Sequence, residues 1–418
     1  MARQMVAHGI TSTYSGTATR QLLVDISVIY QDDARTGIQR VVRSLLQQLI
    51  ATPPSGFVVR PVFATRKQAY SYVAPAPLDT PSHLKSQKID PIKVHKGDVF
   101  LGLDLAAHLL PSHQAQLLNW KRNGVQLHIM VYDLLPLQNP AWFNPKTSIN
   151  FRRWIRWITI YADSAICISE SVKAELTSWL CARFGIQATV LPTSTVVLGS
   201  DIEASSPSKG LPPDVDFLLA RLRNNPTVLM VGTIEPRKAY DQVLAAFEHQ
   251  WQKSDKALLL VIVGRPGWKT NELQKTLRLH PQAGKRLIWL ENASDELLSL
   301  LYGACKGVLV ASHAEGFGLP LVEASLHNKR ILARDIPVFR QTFATGVSYF
   351  TSGTSYDLAN SIQNWLDQPT ITANGSEIRS LPTWQDSAIA VTQAIGLYHD
   401  VPGEHVRILR HADTRGGS

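Results

Sequence analysis

Short apolar runs alternate with amphipathic segments along nearly the whole chain, and this alternation limits the fold more than any other feature. In the first half the apolar runs fall at Leu22–Ile29, Val58–Phe63, Asp98–Leu101, Val125–Val131, Ala165–Ile168 and Thr195–Leu198. In the second they fall at Thr227–Val231, Leu258–Val263, Leu287–Leu290, Val308–Ala311 and Arg330–Ala333. Runs of four to eight residues without strict alternation suit strands buried on both faces, as in parallel sheets. Helical spacing lies between them. Ile38, Val41, Val42, Leu45, Leu46 and Leu49 form one such stripe, and Tyr240–Gln250, Thr270–Leu279, Ser294–Ala304, Tyr356–Leu366 and Trp384–Tyr398 read the same way. A stretch rich in Ser, Pro and Gly separates the halves. The pattern predicts an α/β chain of two doubly wound, Rossmann-like domains, at 21–205 and 226–383. The remaining divisions are a flexible start at 1–20, a linker region at 206–225, a C-terminal helix at 384–402 and a loose tail at 403–418. A chain of 418 residues is long enough for two such cores.

In an open parallel sheet, ligands bind beyond the carboxyl ends of the strands, so the loops there carry the search for chemistry. The run Gly307-Val308-Leu309-Val310 leads into Glu315-Gly316-Phe317-Gly318-Leu319-Pro320, and Glu323 follows eight residues after Glu315. A helix starting near Leu319 or Pro320 places Glu315 on the loop and Glu323 one turn in. Free N–H groups of the loop and first turn suit a phosphate or sugar phosphate, and two carboxylates accept hydrogen bonds from sugar hydroxyls. The same spacing also fits a solvated loop glutamate and a helix-surface glutamate.

After Thr227–Val231 comes Gly232-Thr233-Ile234-Glu235-Pro236-Arg237-Lys238. Arg237 and Lys238 can neutralise a diphosphate, one as a planar fork and one as a point charge. Two cations at a helix start run against the helix dipole, which favours a binding role over a purely structural one. Gly264-Arg265-Pro266-Gly267-Trp268 follows the next strand, with Trp268 either shielding a base or covering the core edge. In the first half, Thr36-Gly37 opens a helix and Asp133 ends a strand, while Asp25 at a comparable place could simply fix the first loop. G-x-G-x-x-G and Walker A sequences are absent. The segment Phe151–Tyr161 carries Arg152, Arg153 and Arg156 beside Trp154 and Trp157. It could rest on an anionic membrane or a lipid diphosphate, or turn its aromatics to the core and its arginines to water.

The net charge of +9 and pI near 9.4 favour anionic partners without choosing among them. Cys167, Cys181 and Cys305 lack paired or metal-ligand spacing, which fits a reducing compartment. No metal site is expected, no secretory signal is visible at 1–20, and no run approaches a membrane span.

Together, E-P-R-K at 235–238, G-R-P-G-W at 264–268, S-D-E-L at 294–297 and E-G-F-G-L-P-L-V-E at 315–323 resemble the GT-B-fold retaining glycosyltransferases of family 4. T-G-I-Q-R-V-V-R at 36–43 and V-Y-D-L-L-P-L at 131–137 support this in the first half. The likeness extends over about residues 21–400 and is greatest to bacterial mannosyltransferases of O-antigen, lipopolysaccharide and exopolysaccharide assembly. It implies a GT-B architecture, with two domains facing a central cleft and a C-terminal helix crossing back to the first. Asp133, Arg237, Lys238 and Glu315 are the implied catalytic set. Gly37, Gly232, Arg237, Lys238, Gly264, Arg265, Gly316, Phe317, Gly318, Leu319 and Glu323 are the implied donor-binding set. Glu315 would lie near the transferred sugar and Glu323 near the nucleotide ribose. Tyr132 stands where many relatives have histidine, and Thr36-Gly37 where many have two glycines.

The resemblance implies hexosyl transfer, with GDP-mannose as donor and a glycan or lipid-linked oligosaccharide as acceptor, and no separate cofactor. It places the enzyme in the cytoplasm, with peripheral contact at the inner face of the membrane through 151–161. UDP- and dTDP-sugar donors are alternatives, as is a non-catalytic nucleotide-sugar-binding or assembly protein. Nucleic-acid binding would rest on charge alone and is not expected.

Overall fold

The computed structural model describes residues 19–33, 36–73, 91–186, 190–199, 207–253, 257–343, 346–351, 353–368 and 382–399. The expected flexible start and C-terminal tail, and part of the expected linker, lie outside them. Two parallel sheets form the frame. The first contains β1 (Arg20–Asp25), β2 (Phe57–Phe63), β3 (Ser71–Tyr72), β4 (Val99–Gly102), β5 (Gln126–Val131), β6 (Ser164–Cys167) and β7 (Thr193–Thr195). Its spatial order is β3-β2-β1-β4-β5-β6-β7, antiparallel only between β2 and β3. The second contains β8 (Thr227–Val231), β9 (Leu259–Val263), β10 (Leu287–Leu290), β11 (Gly307–Val310), β12 (Arg330–Arg334) and β13 (Val347–Phe350), in the order β10-β9-β8-β11-β12-β13.

Every residue of β4, β6, β9, β11 and β12 is buried. Consecutive burial means both sheet faces are covered, which explains the continuous apolar runs in the sequence. The order in which strands are laid down reverses between β1 and β4 in one sheet and between β8 and β11 in the other. These are the switch points at which an open α/β sheet leaves a crevice. Asp25 and Asp104 sit beyond the first; Gly232–Lys238 and Ser312–Gly318 sit beyond the second.

The first strand is shorter than its apolar run suggests. It stops at Asp25, and Ser27–Gln31 turns into a short helix. Buried carboxylates cause the switch: Asp25 accepts from the Ser27 N–H, and Asp104 accepts from the N–H groups of Val28 and Ile29. Those donors would otherwise need a strand partner. Asp25 thus fixes the first loop. Helix Gly37–Ala51 begins with a capping box between Thr36 and Gln39. The expected linker at 206–225 is not all loop, because helix Val215–Asn224 occupies its end and buries Leu219 and Leu222. The basic-aromatic segment belongs to a longer helix, Pro145–Tyr161, with Phe151, Trp154, Ile155, Trp157 and Ile158 buried and its arginines exposed. The aromatic half of the expected membrane face is therefore core.

Helix Trp384–Ala394 crosses back to the first domain and packs against Gly37–Ala51. Ser387 donates to the Val197 carbonyl at 2.8 Å, and the Ser55 N–H donates to the Tyr398 carbonyl at 2.8 Å. No helix among the described residues is long and apolar enough to cross a membrane.

Candidate active site

Between the domains lies a cavity of about 650 Å³, walled by the carboxyl-end loops of both sheets. Gly37, Asp133, Gly232, Arg237, Lys238 and Gly264 line it, as do Arg265, Glu315 to Leu319 and Glu323. The structure thus brings every residue of the expected catalytic and donor-binding sets to one cavity.

At its centre is an ion cluster. Pro236–Lys238 forms a 3-10 turn, and Ala239 takes a left-handed conformation before helix Tyr240–Lys253. This turn, rather than a helix start, carries the two cations. It aims both at Glu315, with Arg237 Nη1 at 2.5 Å from one carboxylate oxygen and Lys238 Nζ bonded to the other. Arg237 Nε reaches Glu235 at 2.7 Å, and the Ser312 hydroxyl donates to Glu315 at 2.8 Å. Burial alone would push the Glu315 carboxyl up, but Arg237 and Lys238 outweigh it and hold the pKa down to about 2. Glu315 is therefore an anion across the physiological range. The Arg237 guanidinium is correspondingly held charged by Glu315, Glu235 and Asp133 against the cost of burial.

Asp133 faces this cluster from the first domain. Its carboxylate accepts from the Leu135 N–H at 3.1 Å. Burial raises its pKa to about 6; Arg237 opposes the shift, and Glu315 and Glu235 add to it. Tyr132, in the place where histidine is common, lines the cavity, and its buried hydroxyl donates to the Leu103 carbonyl at 2.6 Å.

Close backbone approach explains two of the glycines. A Cβ on Gly264 would lie 1.9 Å from the Gly232 carbonyl oxygen, so the loops after β8 and β9 can touch only without one. A Cβ on Gly316 would lie 2.0 Å from the Tyr132 carbonyl oxygen, across the domain boundary, where the Ser169 hydroxyl also donates to the Gly316 carbonyl at 2.7 Å. Phe317 is 5% exposed. Its ring is chiefly a core group, which leaves its backbone as the part that can face a ligand. Gly318 precedes helix Leu319–Leu326 with φ of 103°.

Glu323 is buried in that helix and accepts from the Tyr302 hydroxyl at 2.7 Å. It is also bonded to Arg40 from the first domain, which reaches Asp295 at 2.6 Å as well. Asp295 is held below the ordinary carboxylate range: burial acts upward, but Arg40 and the Ser208 donors prevail. Arg40 lay in the quoted motif at 36–43 without a role, because its place on the polar side of an amphipathic helix does not reveal its distant partners. Glu235 lay in a quoted motif without a role, and the structure makes it the second anchor of Arg237. Trp268 is neither core nor isolated. It is 36% exposed, its indole N–H donates to the Trp142 carbonyl at 2.9 Å, and its ring meets Phe143 with centroids 6.0 Å apart. Lys269 adds a bond to the Ala141 carbonyl at 2.7 Å. The domains are thus joined on one side of the cavity by Arg40 and on another by Trp268 and Lys269.

Residues 218–377 match the family Glycosyl transferases group 1. The serotype-specific mannosyltransferase WbdA of Escherichia coli is 39% identical over 375 residues, which is 88% of this chain and 46% of WbdA. This chain therefore spans a little under half the length of that relative. The O-antigen chain mannosyltransferase B of Escherichia coli is 30% identical over 141 residues, covering 34% of this chain and 36% of that protein. Among solved structures, sucrose-phosphate synthase from Thermosynechococcus elongatus shares the fold with a TM-score of 0.63 at 18% identity, covering 90% of this chain and 98% of that one. HepE from Anabaena, in complex with UDP-glucose, gives 0.56 at 17%, covering 90% and 95%. The chain thus carries a region matching the group 1 glycosyltransferases at 218–377, is similar over most of its length to part of the mannosyltransferase WbdA, and has the two-sheet GT-B fold.

Proposed function

We propose that the chain transfers a mannosyl residue from GDP-mannose to a glycan or lipid-linked saccharide in surface-polysaccharide synthesis, with the anomeric configuration retained. The observation that carries this reading is the cluster of Arg237 and Lys238 on Glu315 at a sheet switch point, facing Asp133 across the cleft. A diphosphate entering there meets two cations already charged and already oriented, so little reorganisation is needed as negative charge develops on the leaving phosphate. The similarity to WbdA supports mannose as the transferred sugar.

In the reaction the bond from the anomeric carbon to the β-phosphate oxygen breaks. A bond from the same carbon to the acceptor oxygen forms on the same face. The acceptor proton passes to the departing phosphate oxygen, so no side chain need serve as a covalent nucleophile. Arg237 and Lys238 stabilise the leaving diphosphate. Glu315, ionised, supports positive charge at the anomeric carbon and accepts from sugar hydroxyls. Gly316 and Gly318 offer backbone N–H groups to the sugar and phosphate, and Glu323 is the acceptor for ribose hydroxyls, in exchange with Arg40. The domain contacts around the cavity exclude water and so limit donor hydrolysis.

The enzyme works in the cytoplasm, held peripherally at an anionic bilayer by the exposed Arg152, Arg153 and Arg156, with Ile149 and Ile160 exposed on the same helix. Cosedimentation with anionic vesicles that weakens in high salt is expected; equal recovery with neutral vesicles would remove this part.

The deciding experiment is calorimetry with GDP-mannose, UDP-glucose, UDP-galactose and dTDP-rhamnose, repeated for Arg237→Ala, followed by product analysis. Selective GDP-mannose binding, lost in the variant, and a retained anomeric centre support the reading. Preference for UDP or dTDP would reassign the donor, and an inverted product would overturn the retaining course.

A further inference from the structure

Beside the cavity, the second domain grips a short turn of the first, Pro140–Trp142, that the donor reading leaves unused. The Trp268 indole N–H donates to the Trp142 carbonyl at 2.9 Å, and Lys269 Nζ donates to the Ala141 carbonyl at 2.7 Å. The Trp142 ring stacks on His313, with centroids 6.3 Å apart and planes 27° from parallel. Trp268 continues the contact to Phe143 in the cavity wall. Trp142, Lys269 and His313 themselves do not line the cavity. Lys269 holds φ at 58°, a left-handed conformation that is costly for a residue with a side chain and persists only where its surroundings fix it.

Each side of this clasp is wired to the reacting centre. In the first domain the Trp142 N–H donates to the Asn139 carbonyl at 3.0 Å, and the Asn139 N–H to the Leu135 carbonyl at 2.8 Å. The Leu135 N–H in turn donates to the Asp133 carboxylate at 3.1 Å, so one short helix, Leu135–Gln138, separates the gripped turn from Asp133. In the second domain the His313 N–H donates to the Arg237 carbonyl at 2.8 Å. The Thr270 hydroxyl donates to the Ile234 carbonyl at 2.8 Å, and a Cβ on Gly267 would lie 2.3 Å from that same oxygen. The loop that bears Trp268 therefore lies directly on the loop that bears the two cations.

We infer that Trp142, Trp268, Lys269 and His313 are positioning residues for the transfer, and that their grip on the turn sets where Asp133 stands against Arg237 and Glu315. The inference rests on the proposed function, since it needs the donor diphosphate on Arg237 and Lys238. The two contacts between the domains then have different tasks. Arg40 is bonded to Glu323, on the proposed ribose side, and bears on donor affinity. The clasp bears on the reacting end. Loosening it leaves Arg237, Lys238, Glu315 and Glu323 in place, because all four belong to the second domain, while Asp133 moves with the first. A small misplacement of that kind costs rate rather than donor affinity. Asp133 also reports its own position. It titrates near 6, because burial raises its pKa and Arg237 only partly opposes the shift, so a diphosphate bound opposite makes it take up a proton at pH 7. Distance weakens that response.

Calorimetry of GDP binding to the full chain, in buffers of different ionisation enthalpy at pH 7, tests this without turnover. The variant is Trp142→Ala combined with Lys269→Ala, which removes the ring from His313 and the ammonium from Ala141 without altering a residue of the cavity wall. The expected result is proton uptake reduced by roughly half or more, with the Kd for GDP within about twofold of the parent. With GDP-mannose and an α-linked mannobiose, kcat should fall about tenfold at an almost unchanged donor KM. Trp142→Phe, which keeps a ring on His313, should restore both readouts toward the parent. A variant that is merely less stable loses active protein but keeps the proton uptake of each GDP bound. Unchanged uptake in the double variant, no uptake in the parent, or a GDP Kd that rises in step with the loss of kcat would overturn the inference. A folded parent chain that does not bind GDP would overturn the donor reading instead.

Discussion

Replacing Asp133 with asparagine should stabilise the protein at neutral pH while impairing transfer. The carboxyl titrates near 6 in the fold against an ordinary value of 3.8. A raised carboxyl pKa means that the folded state holds the proton more tightly than the unfolded state. Stability therefore falls as pH rises from about 4 to about 6, and the full cost persists above it. At about 1.4 kcal/mol per pH unit, the gap sets a ceiling of about 3 kcal/mol. Asp133 is partly open to the cavity, so solvent screening brings the expected gain from Asp133→Asn to about 1–2 kcal/mol. The asparagine oxygen can still accept from the Leu135 N–H, so that bond is kept. For a domain of this size the gain corresponds to a melting temperature higher by roughly 2–8 °C. Thermal melts of parent and variant at pH 4.5, 6 and 7.5 supply the assay. Their difference should be smallest at pH 4.5, about a third of its full size, and largest at pH 7.5. A difference that does not change with pH, or a variant less stable at pH 7.5, would refute the argument. In parallel, kcat should fall by at least tenfold, because an amide cannot take up and give back the proton that Asp133 exchanges as the diphosphate binds and leaves.

Two further substitutions probe the contacts between the domains. Arg40→Ala removes the cation shared by Asp295 and Glu323 and leaves a buried carboxylate unpaired, a loss of about 3–5 kcal/mol; small-angle scattering should show a wider cleft, and the donor KM should rise at least tenfold. Gly316→Ala forces a Cβ against the Tyr132 carbonyl, so the melting temperature should drop by several degrees, with activity lost even at temperatures where the variant remains folded.

The sheets were legible because burial on both faces writes itself as uninterrupted apolar runs, and the main helices because one stripe of each is buried. Elements with a weaker stake in the core escaped. β13 has only Phe350 fully buried, and helix Gln114–Arg122 buries just Leu117 and Trp120, so neither leaves a strong period. The end of β1 was misread because its boundary is set by Asp104, 75 and 76 residues away from the N–H groups it captures. The site divides in the same way. Glu315, Arg237 and Lys238 announced themselves through local motifs at strand ends. Arg40 depends on partners 255 and 283 positions away, which no local spacing encodes.

The charge count at the centre of the cavity adds a constraint on donor binding. Glu235, Glu315 and Asp133 are three carboxylates beside the two cations Arg237 and Lys238. A diphosphate adds negative charge and competes with Glu315 for both cations. Glu315 starts near 2 in the free site and so has the furthest to rise before it protonates. Asp133 relieves the excess first, since it already titrates near 6 and a neighbouring diphosphate pushes it higher. Binding of GDP at pH 7 should therefore take up a fraction of a proton, approaching one as the shift grows. Calorimetry in buffers of different ionisation enthalpy measures that uptake directly. The observed enthalpy should change with buffer for the parent chain, with a much smaller dependence for Asp133→Asn, although phosphate ionisation can leave a remainder in both. Equal buffer dependence in the two proteins would mean that Asp133 does not sense the diphosphate, and the placement of the leaving group opposite it would then be wrong.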